Sequence, residues 1–232
     1  MSASVIDHLN PNQKSQIQSL SETFPLDDVD LFAIYEIDGV IRSAAAFIEE
    51  DEFLYECFGY TDPEYRRQGF FFELLDMSIE ALPEDSEFLF YTNGNDKDCM
   101  AAIHALEAEL ALEEHMMELD LSAFSAPMSS DSALTMEEAD LDGTLTRIYK
   151  TPYGIVHISV FSSYYYLYGL EIQELFRGQG HGKTLLHQVL HDLKTKNPLP
   201  LRLQVSGDNS AALSLYKKTG FQITETLFGY LY

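Results

Sequence analysis

The chain has 232 residues, 46% of them hydrophobic, with two cysteines and a formal net charge of −24. That length and apolar content allow one large domain or two small ones with real cores. No apolar run approaches the ~18 residues that would suggest a membrane span, and the start Met1-Ser-Ala-Ser-Val-Ile-Asp lacks the basic flank and apolar stretch of a signal peptide.

The acidic balance disfavours nucleic acid as a partner. Cys57 and Cys99 have no metal-ligand spacing, and two free thiols without a leader fit a reducing, cytoplasmic setting. The charge is uneven. Residues 1–142 hold 33 acids against 5 Lys and Arg, whereas residues 143–232 hold 5 acids against 9. Asymmetry of this kind marks separate domains. The basic half suits an anionic ligand and the acidic half a cationic partner.

In chain order, residues 1–24 are polar, and Ile17, Leu20 and Phe24, at helical spacing after Pro11, make this segment read as a helix. Two apolar runs around Asp38-Gly39, at 31–37 and 40–48, predict a β-hairpin, because Asp-Gly supplies the positive-φ residues of a tight turn. An acidic turn at 49–52 leads to a strand at 53–58. A turn at 61–69 leads to a helix at 70–82 that Pro83 ends. A buried strand at 87–92, an Ala-rich helix at 99–112 and a strand at 116–124 complete the first half. Residues 125–143, with Ser-Ala-Pro-Met-Ser-Ser-Asp-Ser and then an acidic run, predict a linker. The second half predicts strands at 144–150, 154–161 and 164–172, a helix at 182–194 and a strand at 199–205. A helix capped by Asn209 and ended by Gly220 follows, and 221–232 supplies the last strand or strands.

The most informative stretch is 170–186. An apolar strand runs through Leu170 and Ile172 into a turn with Gly178, Gly180 and Gly182, and a helix with Leu185, Leu186, Val189, Leu190 and Leu193 follows. The first amides of a helix lack intrahelical partners and sit at the positive end of the dipole, and glycines clear the approach to them. Strand, glycine turn, helix is therefore an anion-binding device. It is neither of two well-known versions. The P-loop pattern needs glycine at 177, which is Arg177, and the dinucleotide pattern needs glycine at 183, which is Lys183.

The turn has an echo. Tyr65-Arg66-Arg67-Gln68-Gly69-Phe70-Phe71 aligns with Phe176-Arg177-Gly178-Gln179-Gly180-His181-Gly182, with a strand before and an apolar helix after in both. Two related α/β units explain this.

The Arg-x-x-Gly-x-Gly run at 177–182 resembles the coenzyme A pyrophosphate loop of the GNAT-type N-acetyltransferases. The run from Asn209 through Ala212, Tyr216 and Gly220 to Phe221 is similar to that family's N-x-x-A-x-x-x-Y-x-x-x-G-F helix. The resemblance covers about 144–232. It implies an α/β (α+β) fold of two GNAT-like units, each a mixed, mostly antiparallel sheet flanked by helices, with 1–124 as a degenerate unit, 125–143 as an acidic linker and 144–232 as the acetyl-CoA-binding unit.

It also implies roles. Arg177, Gly178, Gln179, Gly180, His181, Gly182, Lys183 and Thr184 hold the pyrophosphate. Leu170 and Ile172 lie on the strand that pairs with the pantetheine arm, and Asn209 sits near that arm. Tyr216 protonates the leaving thiolate, and Glu171 is the nearest acid that can serve as base. The implied activity transfers acetyl from acetyl-CoA to a small amine or a protein amine by direct attack. A non-catalytic acyl-CoA-binding regulatory module is the alternative.

His187 and His191 are four apart, but without a third ligand they read as solvated rather than as a metal site. The first half carries Phe71 in place of Gly182, and Ala105 about where Tyr216 stands. It is therefore expected to serve as scaffold and acceptor wall, with one acetyl-CoA bound per chain.

Overall fold

The computed structural model describes residues 1–125, 133–141 and 143–232. The chain divides into two compact units, Met1–Ala111 with Phe228–Tyr232, and Leu112–Leu227. Each is an α+β structure with a mixed, mostly antiparallel sheet flanked by helices, as the sequence predicts.

The first unit contains β1 (Ser2–Ile6), α1 (Pro11–Leu20), β2 (Leu31–Ile37), β3 (Val40–Asp51), β4 (Leu54–Thr61), a single 3-10 turn at Pro63–Tyr65, α2 (Phe70–Ala81), β5 (Glu87–Thr92) and α3 (Lys97–Ala105). Its strands lie in the order β1-β2-β3-β4-β5, and residues 228–231 of the last strand of the chain pair with β5. Both faces of this sheet are buried. Leu74 and Leu75 of α2 pack on Leu31, Ala33, Ala45 and Phe47, while Ile17 of α1 packs on Phe32, Ile34, Ala44 and Ala46. That is why β2 and the middle of β3 read as continuous apolar runs rather than alternating ones.

The second unit contains most of β6 (Glu109–Leu119), β7 (Thr135–Leu141), β8 (Thr144–Thr151), β9 (Gly154–Val160), β10 (Tyr165–Ile172), a 3-10 turn at Glu174–Phe176, α4 (His181–Lys196), β11 (Leu201–Ser206), α5 (Ser210–Thr219) and the first part of β12 (Gln222–Leu231). The order is β6-β11-β10-β9-β8-β7. Its core lies under α4, whose Leu185, Leu186, Val189, Leu190 and Leu193 pack with Val156, Ile158, Leu167, Leu201 and Leu203. The alternation of β11, Leu201-Arg-Leu-Gln-Val-Ser206, follows from a sheet with one face in that core. Only residues 142 and 143 separate β7 from β8, so no helix stands between these strands as α1 stands between β1 and β2.

Four expectations change. Residues 106–112 are not helix. α3 stops at Ala105, Glu107 takes a left-handed φ of 57°, and β6 begins at Glu109. The predicted linker 125–143 contains β7, whose Glu137 and Glu138 pair with Lys150 and Arg147 of β8, while 126–132 and 142 lie outside the described residues. Residues 2–6 form a strand paired with β2, within a segment expected to be only helical. Finally, each half hands its last strand on. β6, at the end of the first repeat, pairs with β11, and the end of β12 pairs with β5. The compact units break at 111 and 228.

Candidate active site

β10 pairs in parallel with β11 only through Tyr165, Tyr166 and Leu167, then continues along β9 as far as Ile172. The two parallel strands thus diverge after one short contact. A register shift between Tyr168 and Glu171, with Gly169 at φ 59°, bends β10 where it departs. Past the divergence the edge of β10 that faced β11 has no partner strand among the described residues, and its amides and carbonyls are left for another extended group.

The turn after β10 is built from its own side chains. Arg177 Nε donates to the Ile172 carbonyl at 2.9 Å, and Gln179 Nε2 donates to the Leu175 carbonyl at 3.0 Å. Gly178 and Gly180 take φ of 72° and 87°, and a side-chain carbon at either would meet open space. Gly180 is the N-cap of α4 and contributes no side-chain cap, so the first helical bond is Thr184 N–H to the Gly180 carbonyl at 3.1 Å. The amides of His181, Gly182 and Lys183 consequently have no intrahelical acceptor. No acid lies in the first turn, and Lys183 is exposed there.

Gly182 faces outward enough that an added Cβ would come no nearer than 3.6 Å to Ile172 and Leu215. The His181 ring is stacked on Tyr153 at 3.9 Å.

The other expected residues are distributed as follows. Leu170 and Ile172 pack against the core cluster that contains Tyr216. Tyr216 is 6% exposed and edge-on to Phe221 at 5.5 Å, and burial pushes its phenol up to about 12. Asn209 caps α5 by accepting from the Ala212 amide at 3.1 Å, which commits its Oδ1 and leaves its Nδ2 as a donor.

Glu171 lies apart. It is exposed, opposite Ile155 in the register, and borders a recess of about 290 Å³ with Lys150, Thr151 and Gln173. Alternation sets it on the face away from Leu170 and Ile172. His187 and His191 are half-buried rather than solvated: both rings meet the edge of Phe124, at 5.7 and 5.5 Å. Among the described residues no cluster could hold a metal ion.

A model of the acetyltransferase (GNAT) family matches residues 112–221. That range is nearly the whole of the second compact unit, with residues 112–119 of β6. The second unit is a GNAT-family domain. Solved structures extend the GNAT fold to the full chain. A tandem GNAT protein from the clavulanic acid biosynthesis pathway superposes with a TM-score of 0.62 at 11% identity over 100% of this chain and 98% of its own. A GCN5-related N-acetyltransferase from Sphaerobacter thermophilus does so at 0.60 and 12% over 94% of this chain and 84% of its own. A glucosamine N-acetyltransferase region of a fungal multi-domain enzyme gives 0.67 at 9% over 99% of this chain but only 38% of that one. No curated protein sequence matches.

The first unit repeats the GNAT loop with a constant offset of 111. Arg66 Nε donates to the Thr61 carbonyl at 3.0 Å, Gln68 Nε2 to the Glu64 carbonyl at 3.3 Å, and Gly69 is an uncapped αL N-cap at φ 87°. Two features differ. At the equivalent of Gly182, Phe71 covers Gly59, where an added Cβ would lie 2.4 Å from its ring. Gly59 in turn corresponds to Leu170. The large residue has moved from strand to helix, and its ring lies against the strand at Gly59.

The second feature is Asp98. It accepts from Arg66 Nη1 at 2.8 Å and Arg67 Nη2 at 3.0 Å. Aligned on the caps Asp96 and Asn209, Asp98 corresponds to Ala211 and Tyr216 to Ile103, so Ile103 rather than Ala105 stands in place of the phenol. Sequence reasoning missed both the Gly59–Phe71 exchange and Asp98. The first was visible as a reversed small–large pair at a fixed offset; the second needed the position of α3.

Proposed function

We propose that the chain is an acetyl-CoA-dependent N-acetyltransferase whose second unit binds the acyl donor and whose acceptor is a small amine or a protein amine. One observation carries this reading: the start of α4 is uncapped, free of acids in its first turn and clear at Gly178, Gly180 and Gly182, whereas the matching start of α2 has Glu73 in its first turn, Phe71 in place of Gly182, and Asp98 bound to Arg66 and Arg67 of its turn. The residues present fit the donor. Amides of 181–183 and the free edge of β10 match a pyrophosphate followed by an extended amide arm.

Acetyl-CoA supplies an acyl group already activated as a thioester. The chain supplies the rest. Arg177 and Gln179 hold the turn open, Lys183 adds positive charge, and Asn209 Nδ2 offers a donor beside α5. Tyr216 keeps its proton at any physiological pH and can give it to a developing thiolate. Glu171, on the other face of β10, is less well situated as base, which favours water or another group for that step. Among the described residues no helix is long and apolar enough to cross a membrane.

The test is calorimetry with acetyl-CoA, followed by thiol release with a panel of amines. Binding with steady, amine-dependent release supports the transferase. Binding without release for any amine would leave a non-catalytic acyl-CoA module.

A further inference from the structure

In the first unit β4 and β5 diverge as β10 and β11 do, pairing only through Leu54, Tyr55 and Glu56. The divergence opens a cavity of about 430 Å³, bordered by residues 57–61 of β4, by α3 and by the Arg66–Phe72 turn. This falls in the size range of small-molecule sites. Nine aromatic residues border it, Phe58, Phe71 and Phe90 among them.

The charges that border it balance, Arg66 and Arg67 against Asp96 and Asp98. Asp98 binds both Arg66 and Arg67, and its carboxyl is held below the usual range, first by Arg67 and then by Arg66. An anion entering here would have to displace an internal carboxylate in a half of the chain already rich in acids. The cavity also stays apolar to its sides. Both thiols that border it, Cys57 and Cys99, are pushed up by burial, so neither adds an anion or a nucleophile.

We infer that the first unit is a binding site for an uncharged, largely apolar small molecule, with Asp98 as an internal substitute for a ligand's phosphate. An aromatic-lined cleft with a few hydroxyls and one free strand edge recognises a ligand by burial and shape, with a polar group or two for orientation. The inference concerns a site separate from the second unit's loop and does not depend on its chemistry.

The test uses N-phenyl-1-naphthylamine, an uncharged fluorophore that brightens in apolar sites, and its sulfonated relative 8-anilinonaphthalene-1-sulfonate. The full chain is expected to bind the uncharged probe saturably, one per chain, and at least tenfold more tightly than the sulfonate. Saturating acetyl-CoA should leave that binding unchanged. Ala102→Phe, which fills the cavity from α3, should abolish it while acetyl-CoA binding and thermal unfolding remain native. If that variant does not fold, Asp98→Ala carries the test: by freeing Arg66 and Arg67 it should raise sulfonate affinity at least tenfold and leave the uncharged probe unaffected.

Absence of saturable binding, equal affinity for the two probes in the wild type, or stoichiometric displacement by acetyl-CoA would overturn the inference. So would retention of the probe by a folded Ala102→Phe, or an Asp98→Ala that leaves the sulfonate unchanged. Acetyl-CoA titration of the same samples reports the second unit separately, so failure of one reading is not failure of the other.

Discussion

Gly182→Phe transplants the first unit's ring into the second unit's loop. In the first unit the ring has room because Gly59 lies beneath it. In the second unit that strand position is Leu170, so the ring must turn outward, over the amides of 181–183. A pyrophosphate displaced from two of those amides loses two charge-assisted hydrogen bonds at roughly 1.5–3 kcal/mol each. Even the lower sum, about 3 kcal/mol, is about a hundredfold in affinity.

Gly182→Ala is the control. Its methyl would sit 3.6 Å from Ile172 and Leu215, an ordinary contact, and Gly182 is not among the residues with positive φ. Replacing a helical glycine should then stabilise the fold by up to ~1 kcal/mol. Calorimetry with acetyl-CoA and thermal unfolding measure both. A folded Gly182→Phe with wild-type affinity would refute the assignment of the loop.

Other consequences follow from single groups. Tyr216→Phe should lower turnover roughly ten- to a thousandfold with little change in acetyl-CoA affinity, as expected for loss of a general acid; unchanged turnover would make Tyr216 a packing residue. Because folding raises the Tyr216 pKa to about 12, its contribution to stability is complete below its unfolded value near 10 and is lost as pH rises from there to about 12. Tyr216→Phe should therefore unfold less readily than wild type between pH 10 and 12, and an identical alkaline transition would contradict this. Gly59→Ala, with its Cβ 2.4 Å from the Phe71 ring, should destabilise the chain by about 1–3 kcal/mol in denaturant melts. Adding Phe71→Leu should recover part of that, and additive losses would show that the two residues are not coupled.

The elements that specify themselves locally were legible in the sequence. The Asp38-Gly39 hairpin, the glycine turn at 178–182 and the Asn209 and Gly220 ends of α5 depend on residues within a few positions of one another. The duplication was legible for the same reason, since Arg66–Gln68 and Arg177–Gln179 make the same bonds. The segment Glu107-Ala-Glu-Leu-Ala-Leu-Glu-Glu114 was not, because its helix propensity is strong. It forms the first part of β6, whose later part, from Glu114 on, pairs with β11 some ninety residues later, and no local pattern records that. β7 was hidden similarly. Glu137, Glu138 and Asp140 look like a solvated run until Arg147 and Lys150 face it across the ladder. The exchange of last strands was beyond reach, since an edge strand's sequence does not name the sheet it joins. Asp98 was overlooked because it acts on arginines about thirty residues away.

The central claim is that the second unit's loop is the chain's acetyl-CoA site and the first unit's loop is not. A crystal structure of the chain with saturating acetyl-CoA tests it most directly. The expected result is one cofactor per chain, its pyrophosphate against the amides of 178–183 and its arm along 168–172, with Asp98 still bound to Arg66 and Arg67. Cofactor on the Arg66–Phe71 turn, alone or in addition, would contradict it.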